Sequence, residues 1–464
     1  MKLQKIIIPI ILIINTLSGF SQIIDTKYSD VQPKENSPFS RFGLGNISPQ
    51  YLASTAGMGG MTAAYRDAYH YNPMNPASLS ALKLTDFDFG LYAKNTSVND
   101  GTNSLNGWSG NINHIALGFP TYSVINEIYD RKPREVRWAM GFALMPYNTM
   151  GYLIETQAKS PNNLVDSGIV KNNFIGSGGS YRLMWGNGVS YKGFSVGANI
   201  GYLFGKMNYF RQNLLFDPSF LTYANNFQEN YTLGSFFWNL GLQYTITLDP
   251  KSKYGDKGDK KHVIIGGYTN PSMTMNTTSS NVFKRQLLLR DNTVDERFDQ
   301  IISEESGIQN TGKLPSETTI GVNYENGAKF RGGIEYSTSS WSQYSNKADK
   351  RFSPLKDASQ FSVGAEFVLS KSKLKPDEEK IHWRVGYRAG SDPRIFNDEQ
   401  VKKSALTFGM GLPMRVGRGA QISFMDLGIE YGKIGTDKIV ENYWRISLGF
   451  TLNDNSWFLK QRYQ

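Results

Sequence analysis

The chain has no cysteine among its 464 residues. That excludes disulfide frameworks, thiolate metal sites, thiol nucleophiles and a lipid-modified cysteine anchor. Histidine is nearly as scarce. His70, His114, His262 and His382 stand apart, which argues against a histidine-rich metal centre and reads instead as isolated polar residues. Beyond the N-terminus no apolar run approaches the ~20 residues a membrane helix needs. There is no P-loop and no H-E-x-x-H. Gly193–Gly197 matches G-x-S-x-G, but Ser195 sits in an alternating stretch rather than a strand–turn–helix elbow, so no catalytic residue is expected. No cofactor and no metal is implied. The net charge of +10 is mild for this length and does not call for nucleic acid. What is abundant is glycine, 46 residues, and aromatic side chains, 13% of the chain, a balance that favours strands and turns over helices.

Residues 1–21 read as a secretory signal. Lys2 and Lys5 give a positive start, Ile6–Ile14 an apolar run, and Ser18, Gly19 and Ser21 a small-residue cleavage site before Gln22. The run is too short for a membrane anchor. Its removal takes the net charge to +8, since Lys2 and Lys5 leave with no acid. An exported chain without a spanning helix is either soluble or a closed membrane barrel.

Polarity then alternates with period two. Trp444, Ile446, Leu448, Phe450 and Leu452 share one parity, against Arg445, Ser447, Gly449 and Thr451. The same rhythm runs through Trp138–Leu144, Phe87–Lys94 and Phe361–Phe367. A strand sends alternate side chains to opposite faces, so one face is apolar and the other small or polar. Many segments reach ten residues or more, the length of a tilted bilayer crossing rather than of a soluble strand. The expected strands are 84–97, 111–121, 135–147, 178–191, 193–207, 230–247, 262–290, 315–324, 329–343, 358–369, 380–389, 403–412, 420–433 and 441–452. The fold class is therefore all-β, a 14-stranded antiparallel transmembrane barrel. Segment 262–290 could also be a hairpin about Asn276. The connections 148–177, 208–229, 291–314 and 344–357 are long and share one side. Lys192, 325–328 with its Asn326-Gly327 turn, and 413–419 are short and share the other. The lysine-rich connection 248–261 reads as a solvated turn.

Residues 41–82 lack either period. They carry Gly57-Met58-Gly59-Gly60, then Asp67, then Asn72-Pro73-Met74-Asn75-Pro76-Ala77. This stretch, with Gly141–Tyr147, Gly197–Tyr202 and Ser362–Phe367, resembles the FadL/TodX family of outer-membrane transport proteins, in a Bacteroidota-like branch. The resemblance implies a barrel with its N-terminal segment folded into the lumen as a hatch, and hydrophobic ligands that leave sideways through a gap at a kinked strand. A ~14-strand barrel is too wide for its own side chains to fill, so something must occupy it. The expected organisation is signal 1–21, lead-in 22–40, hatch 41–82, barrel 83–452 and periplasmic tail 453–464, in the outer membrane. Gly57, Met58, Gly59, Gly60, Asp67, Asn72, Pro73, Asn75, Pro76 and Ala77 are the expected hatch and gating residues, and Asp67 with Arg66 could tie the hatch to the wall. Pro146 could break the strand ladder, although a strand end at the membrane rim is the plainer reading. The expected function is uptake of hydrophobic small molecules, long-chain fatty-acid-like, by lateral release. The expected partners are outer-membrane lipid and a hydrophobic ligand. The alternative is a non-transporting subunit of an envelope complex, for type IX secretion or outer-membrane protein assembly.

Overall fold

The computed structural model describes residues 35, 37–99, 104–122, 135–159, 169–216, 222–248, 261–289, 294–349, 354–369, 380–416 and 421–454. The expected signal segment, the lysine-rich residues 249–260 and the tail from 455 onward lie outside these.

The wall consists of β1 (Thr85–Asn99), β2 (Ser104–Pro120), β3 (Val136–Lys159), β4 (Ile169–Tyr191), β5 (Phe194–Phe216), β6 (Thr222–Thr247), β7 (Lys261–Asn270 and Met273–Leu288), β8 (Val294–Leu314 and Glu317–Asn326), β9 (Phe330–Ser339), β10 (Ala358–Val368), β11 (His382–Phe396), β12 (Glu399–Val416), β13 (Gln421–Gly435) and β14 (Val440–Asp454). Each pairs antiparallel with its sequence neighbours, and β14 closes on β1 from Val440↔Asn99 to Asp454↔Thr85. The fold is thus a closed 14-stranded barrel. Segment 262–290 is one strand, not a hairpin about Asn276. It pauses at Pro271, where an N–H is missing, and β8 pauses opposite at Pro315.

The period-two rhythm becomes an outer apolar face and an inner polar one. Trp444, Ile446, Leu448, Phe450 and Leu452 are exposed, while Arg445, Ser447 and Thr451 are buried. Asp86, Asp88 and Lys94 are likewise buried inside. Tyr431, Trp444 and Trp108 fall in one row across β13, β14, β1 and β2, with Asn95 between the two tryptophans. The Tyr431 and Trp444 rings lie 4.7 Å apart. Such a row is the aromatic rim of a membrane barrel.

Three of the four long connections are much shorter than expected, because the strands continue, whereas 344–357 lengthens to 340–357 because β9 stops at Ser339. Residues 294–314, expected as loop, form the upper part of β8. β3 runs on to Lys159, β4 begins at Ile169, β5 reaches Phe216 and β6 begins at Thr222. The physical reason is that the bilayer imposes the rhythm. Past the rim both faces of a strand meet water, so pairing persists where alternation stops.

Residues 35 and 37–84 lie against the inward faces of the wall. This inner stretch includes short turns at Pro38–Arg41, Ala53–Ala56 and Pro76–Ala81. It begins earlier than residue 41: Glu35 is buried, and the Ser37 N–H donates to the Gly151 carbonyl at 3.0 Å. Leu44, Leu52, Tyr71, Leu79 and Leu82 pack with wall residues Met145, Met150, Met184 and Met207 in one apolar cluster.

Candidate functional site

The motif residues sit where the inner segment touches the wall. A Cβ on Gly57 would meet the Gly409 Cα at 2.5 Å, so two backbones are in contact there. Met58 is fully buried, with its carbonyl against Gly364 of β10. Gly59 and Gly60 take φ of +68° and +71°, the left-handed region that glycine enters without a Cβ clash. Gly59 N–H donates to Thr407 Oγ1 at 2.9 Å. Asn72 Nδ2 donates to the Thr62 carbonyl at 2.7 Å, and Asn75 Nδ2 to the Ala63 carbonyl at 2.6 Å. Asn75 Oδ1 accepts from the Ala77 N–H at 3.1 Å and caps the turn that Pro76 opens. The wall reaches back: Asn199 Nδ2 donates to the Pro73 carbonyl at 2.8 Å and Asn239 Nδ2 to that of Met74 at 3.0 Å. The Pro76 carbonyl rests on Gly188 and Gly197, where a Cβ would come within 2.3 Å and 2.6 Å.

Arg66 and Asp67 diverge. Arg66 Nη1 donates to Ser195 Oγ at 2.6 Å, whereas Asp67 Oδ2 accepts from Arg331 Nη1 of β9 at 3.0 Å. Asp67 opens a chain of buried ion pairs. His70 stands between Asp67, at 3.3 Å, and Asp426 of β13, at 3.2 Å. Arg384 of β11 bonds Asp426 and, at 2.6 Å, Glu366 of β10. Glu325 takes Arg331 Nε at 2.7 Å. Burial opposes charge on His70, yet Asp426 and Asp67 outweigh it and hold its pKa well above the ordinary value. Burial would raise Asp67, but Arg331 and His70 hold it well below the usual carboxylate range. Among the described residues Arg66 has no carboxylate in ion-pair range, and burial pulls it down to about 10. A second cluster fixes the start of the segment. Glu35 accepts from Asn46 Nδ2 at 2.6 Å and pairs with Lys94 at 3.1 Å, and Lys94 also reaches Glu441 at 2.9 Å.

The wall is not paired throughout. β2 and β3 are in register from Ile115↔Leu144 to Pro120↔Ala139 and, among the described residues, no further. Above that point β2 pairs only with β1, after a bulge at Asn113. β3 parts from β2 beyond Leu144, while it stays paired with β4 as far as Lys159. It does not end at Pro146, as the plainer reading had it; a bulge at Tyr147 shifts its register with β4 and the strand continues inward. Met145–Tyr152 are all buried, so both faces of this stretch lie inside the barrel. The inner segment takes the place of β2. Asn46 and Ile47 pair with Thr149 and Asn148, Ser48 N–H donates to the Tyr147 carbonyl at 3.0 Å, and Gln50 Nε2 donates to the Pro146 carbonyl at 3.0 Å. The outcome, among the described residues, is an opening in the strand pairing between the outer halves of β2 and β3, while Met145 and Met150 of β3 lie fully buried in one apolar cluster with Met184 and Met207.

Among the wall residues that hold the inner segment, Glu335 was not singled out by the sequence. Glu335 Oε2 accepts the Thr62 and Ala63 N–H groups at 2.7 Å and 2.6 Å, and Asp86 Oδ2 accepts that of Tyr71 at 2.6 Å. Both carboxylates follow the inward parity of their strands, and that parity was the one available signal.

The family model for BamG matches residues 10–464. The chain belongs to the BamG family. No curated protein matches this BamG-family chain in sequence. Among solved structures it resembles the toluene transporter TbuX of Ralstonia pickettii, with a TM-score of 0.50, 14% identity, and 89% and 99% of the two chains covered. The toluene transporter TodX of Pseudomonas putida gives the same values. A FadL homologue of Pseudomonas aeruginosa gives 0.51 at 10% identity over 88% and 99%. The fold of this BamG-family chain is therefore that of the FadL/TodX-type outer-membrane barrels.

Proposed function

We propose that this protein takes up hydrophobic small molecules across the outer membrane, long-chain fatty-acid-like molecules among them, and releases them sideways into the bilayer, with residues 41–82 as its hatch. The observation that carries this reading is the opening between β2 and β3, where β3 turns inward at Pro146 and Tyr147. An apolar ligand gains about 0.8 kcal/mol for each CH₂ moved from water to hydrocarbon. A side exit keeps that gain, whereas a wet axial channel would lose it. The methionines of the buried cluster are flexible and adapt to varied apolar shapes. The test is to remove the bulge, by deleting Tyr147 with Pro146→Val, so that β3 can stay in register with β2. Uptake of a labelled fatty acid and of toluene by cells carrying this variant should fall to that of cells without the protein, while Pro146→Ala alone retains uptake. Unchanged uptake in a folded, heat-modifiable deletion variant would refute side release.

A second reading is favoured by the character of the inner cavities: one of about 240 Å³ carries the charged groups Lys94, Glu335, Arg388 and Glu430, and the apolar one is small. An apolar cavity of about 150 Å³ is needed to take a benzene. The one lined by Tyr147, Leu203, Phe237 and Met273 measures about 30 Å³. On this reading the barrel is a non-transporting subunit of an envelope secretion or assembly complex. Gentle detergent extraction followed by native mass spectrometry separates the two: recovery as a single species argues against the subunit.

A further inference from the structure

At the end of the barrel where β1 begins and β14 finishes, the inner segment and the strand ends enclose an open cavity of about 330 Å³. Its carboxylates are already engaged. Asp67 and Glu325 bind Arg331, and Glu366 is shared by Arg384, Arg331 and His382. Its cations are not all engaged. Arg66 lines the cavity and, among the described residues, has a single side-chain hydrogen bond, to the neutral Ser195 hydroxyl, and no ion pair. Lys83 lines it too; its side chain is exposed and makes no hydrogen bond or ion pair among the described residues. His382 spends Nδ1 on Glu366, at 3.3 Å, while its Nε2 is buried at this cavity without a partner, the residue being 8% exposed. An unpaired buried ring nitrogen beside unneutralised cations is an arrangement that costs free energy until a ligand completes it.

The three groups come from separate places in the chain: Arg66 and Lys83 lie 17 positions apart in the inner segment, and His382 opens β11. They converge on an extended mouth rather than on one point, so the ligand must itself be extended. We infer that this mouth binds an acidic extended peptide segment of a periplasmic partner, whose carboxylates pair with Arg66 and Lys83 and one of whose hydrogen-bonding groups meets His382 Nε2. Arginine suits this role because its planar fork grips a carboxylate by two bonds. The inference rests on the second reading above and names the chemistry of the partner. It stands apart in its test, because peptide binding by the purified chain does not depend on which complex is recovered from cells.

The test measures binding of hexaglutamate, hexaglutamine and tricarballylate to the full mature chain in detergent by isothermal titration. Hexaglutamate should bind at least about tenfold more tightly than either of the others. Its affinity should fall as salt rises, since the contacts are partly exposed. Arg66→Gln with Lys83→Gln should lose this preference while keeping the strand circular dichroism and heat-modifiability of the parent. His382→Gln, which retains a hydrogen-bonding group, should bind more weakly than the parent but more tightly than the double variant. Equal binding of hexaglutamate and hexaglutamine, or undiminished binding in the double variant, overturns the proposal. Tricarballylate binding as tightly as hexaglutamate also overturns it, because the site would then serve a small carboxylate.

Discussion

Glu335 offers the sharpest test of how the inner segment is held. One oxygen of this buried carboxylate accepts two backbone N–H groups, Thr62 at 2.7 Å and Ala63 at 2.6 Å. Glu335→Leu leaves both donors buried and unpaired. Each unsatisfied donor costs about 1–3 kcal/mol, so the docked segment is destabilised by roughly 2–6 kcal/mol. At ~1.4 kcal/mol per decade, the lower end already raises the undocked fraction by about thirtyfold. Glu335→Gln is the control: its carbonyl oxygen keeps two lone pairs for the same donors and removes only the charge, at a cost of about 1 kcal/mol. Both variants are neutral, so a difference between them reports hydrogen bonding and not electrostatics. Reconstituted in planar bilayers, the leucine variant should show frequent conducting events, and trypsin should cut it at Arg66 far faster than the glutamine variant. If the two variants conduct and cleave alike, the two backbone contacts do not hold the segment and the reasoning fails.

Two further outcomes follow from the same contacts. Gly57→Ala places a Cβ 2.5 Å from the Gly409 Cα, with no flexible side chain to yield, so overpacking should cost about 1–3 kcal/mol and increase trypsin cutting at Arg66 while the barrel remains heat-modifiable. The ion pairs of His70 and Asp67 give opposite pH limbs. The raised pKa of His70 means that its contribution is complete below about 6.5 and is lost as pH climbs through the raised folded value. Asp67 is held low, so its contribution is complete above about 3.9 and is lost only as pH falls through the lowered folded value. Conductance should therefore be lowest between these limbs and rise on the alkaline side. His70→Gln should abolish the alkaline rise, and a rise that survives this substitution would assign it to another group.

The wall was legible where the bilayer writes it. From Trp444 to Leu452 lipid touches one face only, and the alternation is complete. It was illegible in two places, for opposite reasons. Along residues 297–306 of β8 both faces meet water, so residues such as Phe298, Ile301 and Ile302 sit exposed without a rhythm. Along Met145–Tyr152 both faces are buried inside the lumen, so Asn148 and Thr149 stand among methionines and tyrosines, again without a rhythm. The inner segment was legible through Gly57, Asn72 and Asn75, whose constraints are local: a close backbone approach and turns that amide side chains brace. Its partner on β9 was not. Glu335 and the Thr62 N–H it accepts lie 273 positions apart, and nothing short of a closed barrel brings them together.

The break in the β2–β3 pairing and the docking of the inner segment on β3 are parts of one rearrangement, and on the proposed reading this yields a prediction that simple unplugging does not. β3 can turn away from β2 because the inner segment supplies substitute partners: the strand pairs at Asn148 and Thr149, and the bonds from Ser48 to Tyr147 and from Gln50 to Pro146. Each contributes about 1 kcal/mol net. On the other side of the opening, Ile112 N–H is met locally by Asn111 Oδ1 at 2.8 Å, which lowers the cost of leaving that stretch of β2 unpaired in the membrane. Deleting residues 41–82 removes the substitute partners but not those of β2. The unpaired edge of β3 should then return to β2, as bare strand edges in hydrocarbon do not persist. On the proposed reading such a barrel should gain an axial path and lose its side exit. Ion conductance should rise above that of the intact protein while delivery of a labelled fatty acid to the bilayer falls. If conductance and delivery rise together, β3 is held inward by its own bulge at Tyr147 and not by the inner segment, and the link between plug and opening is broken.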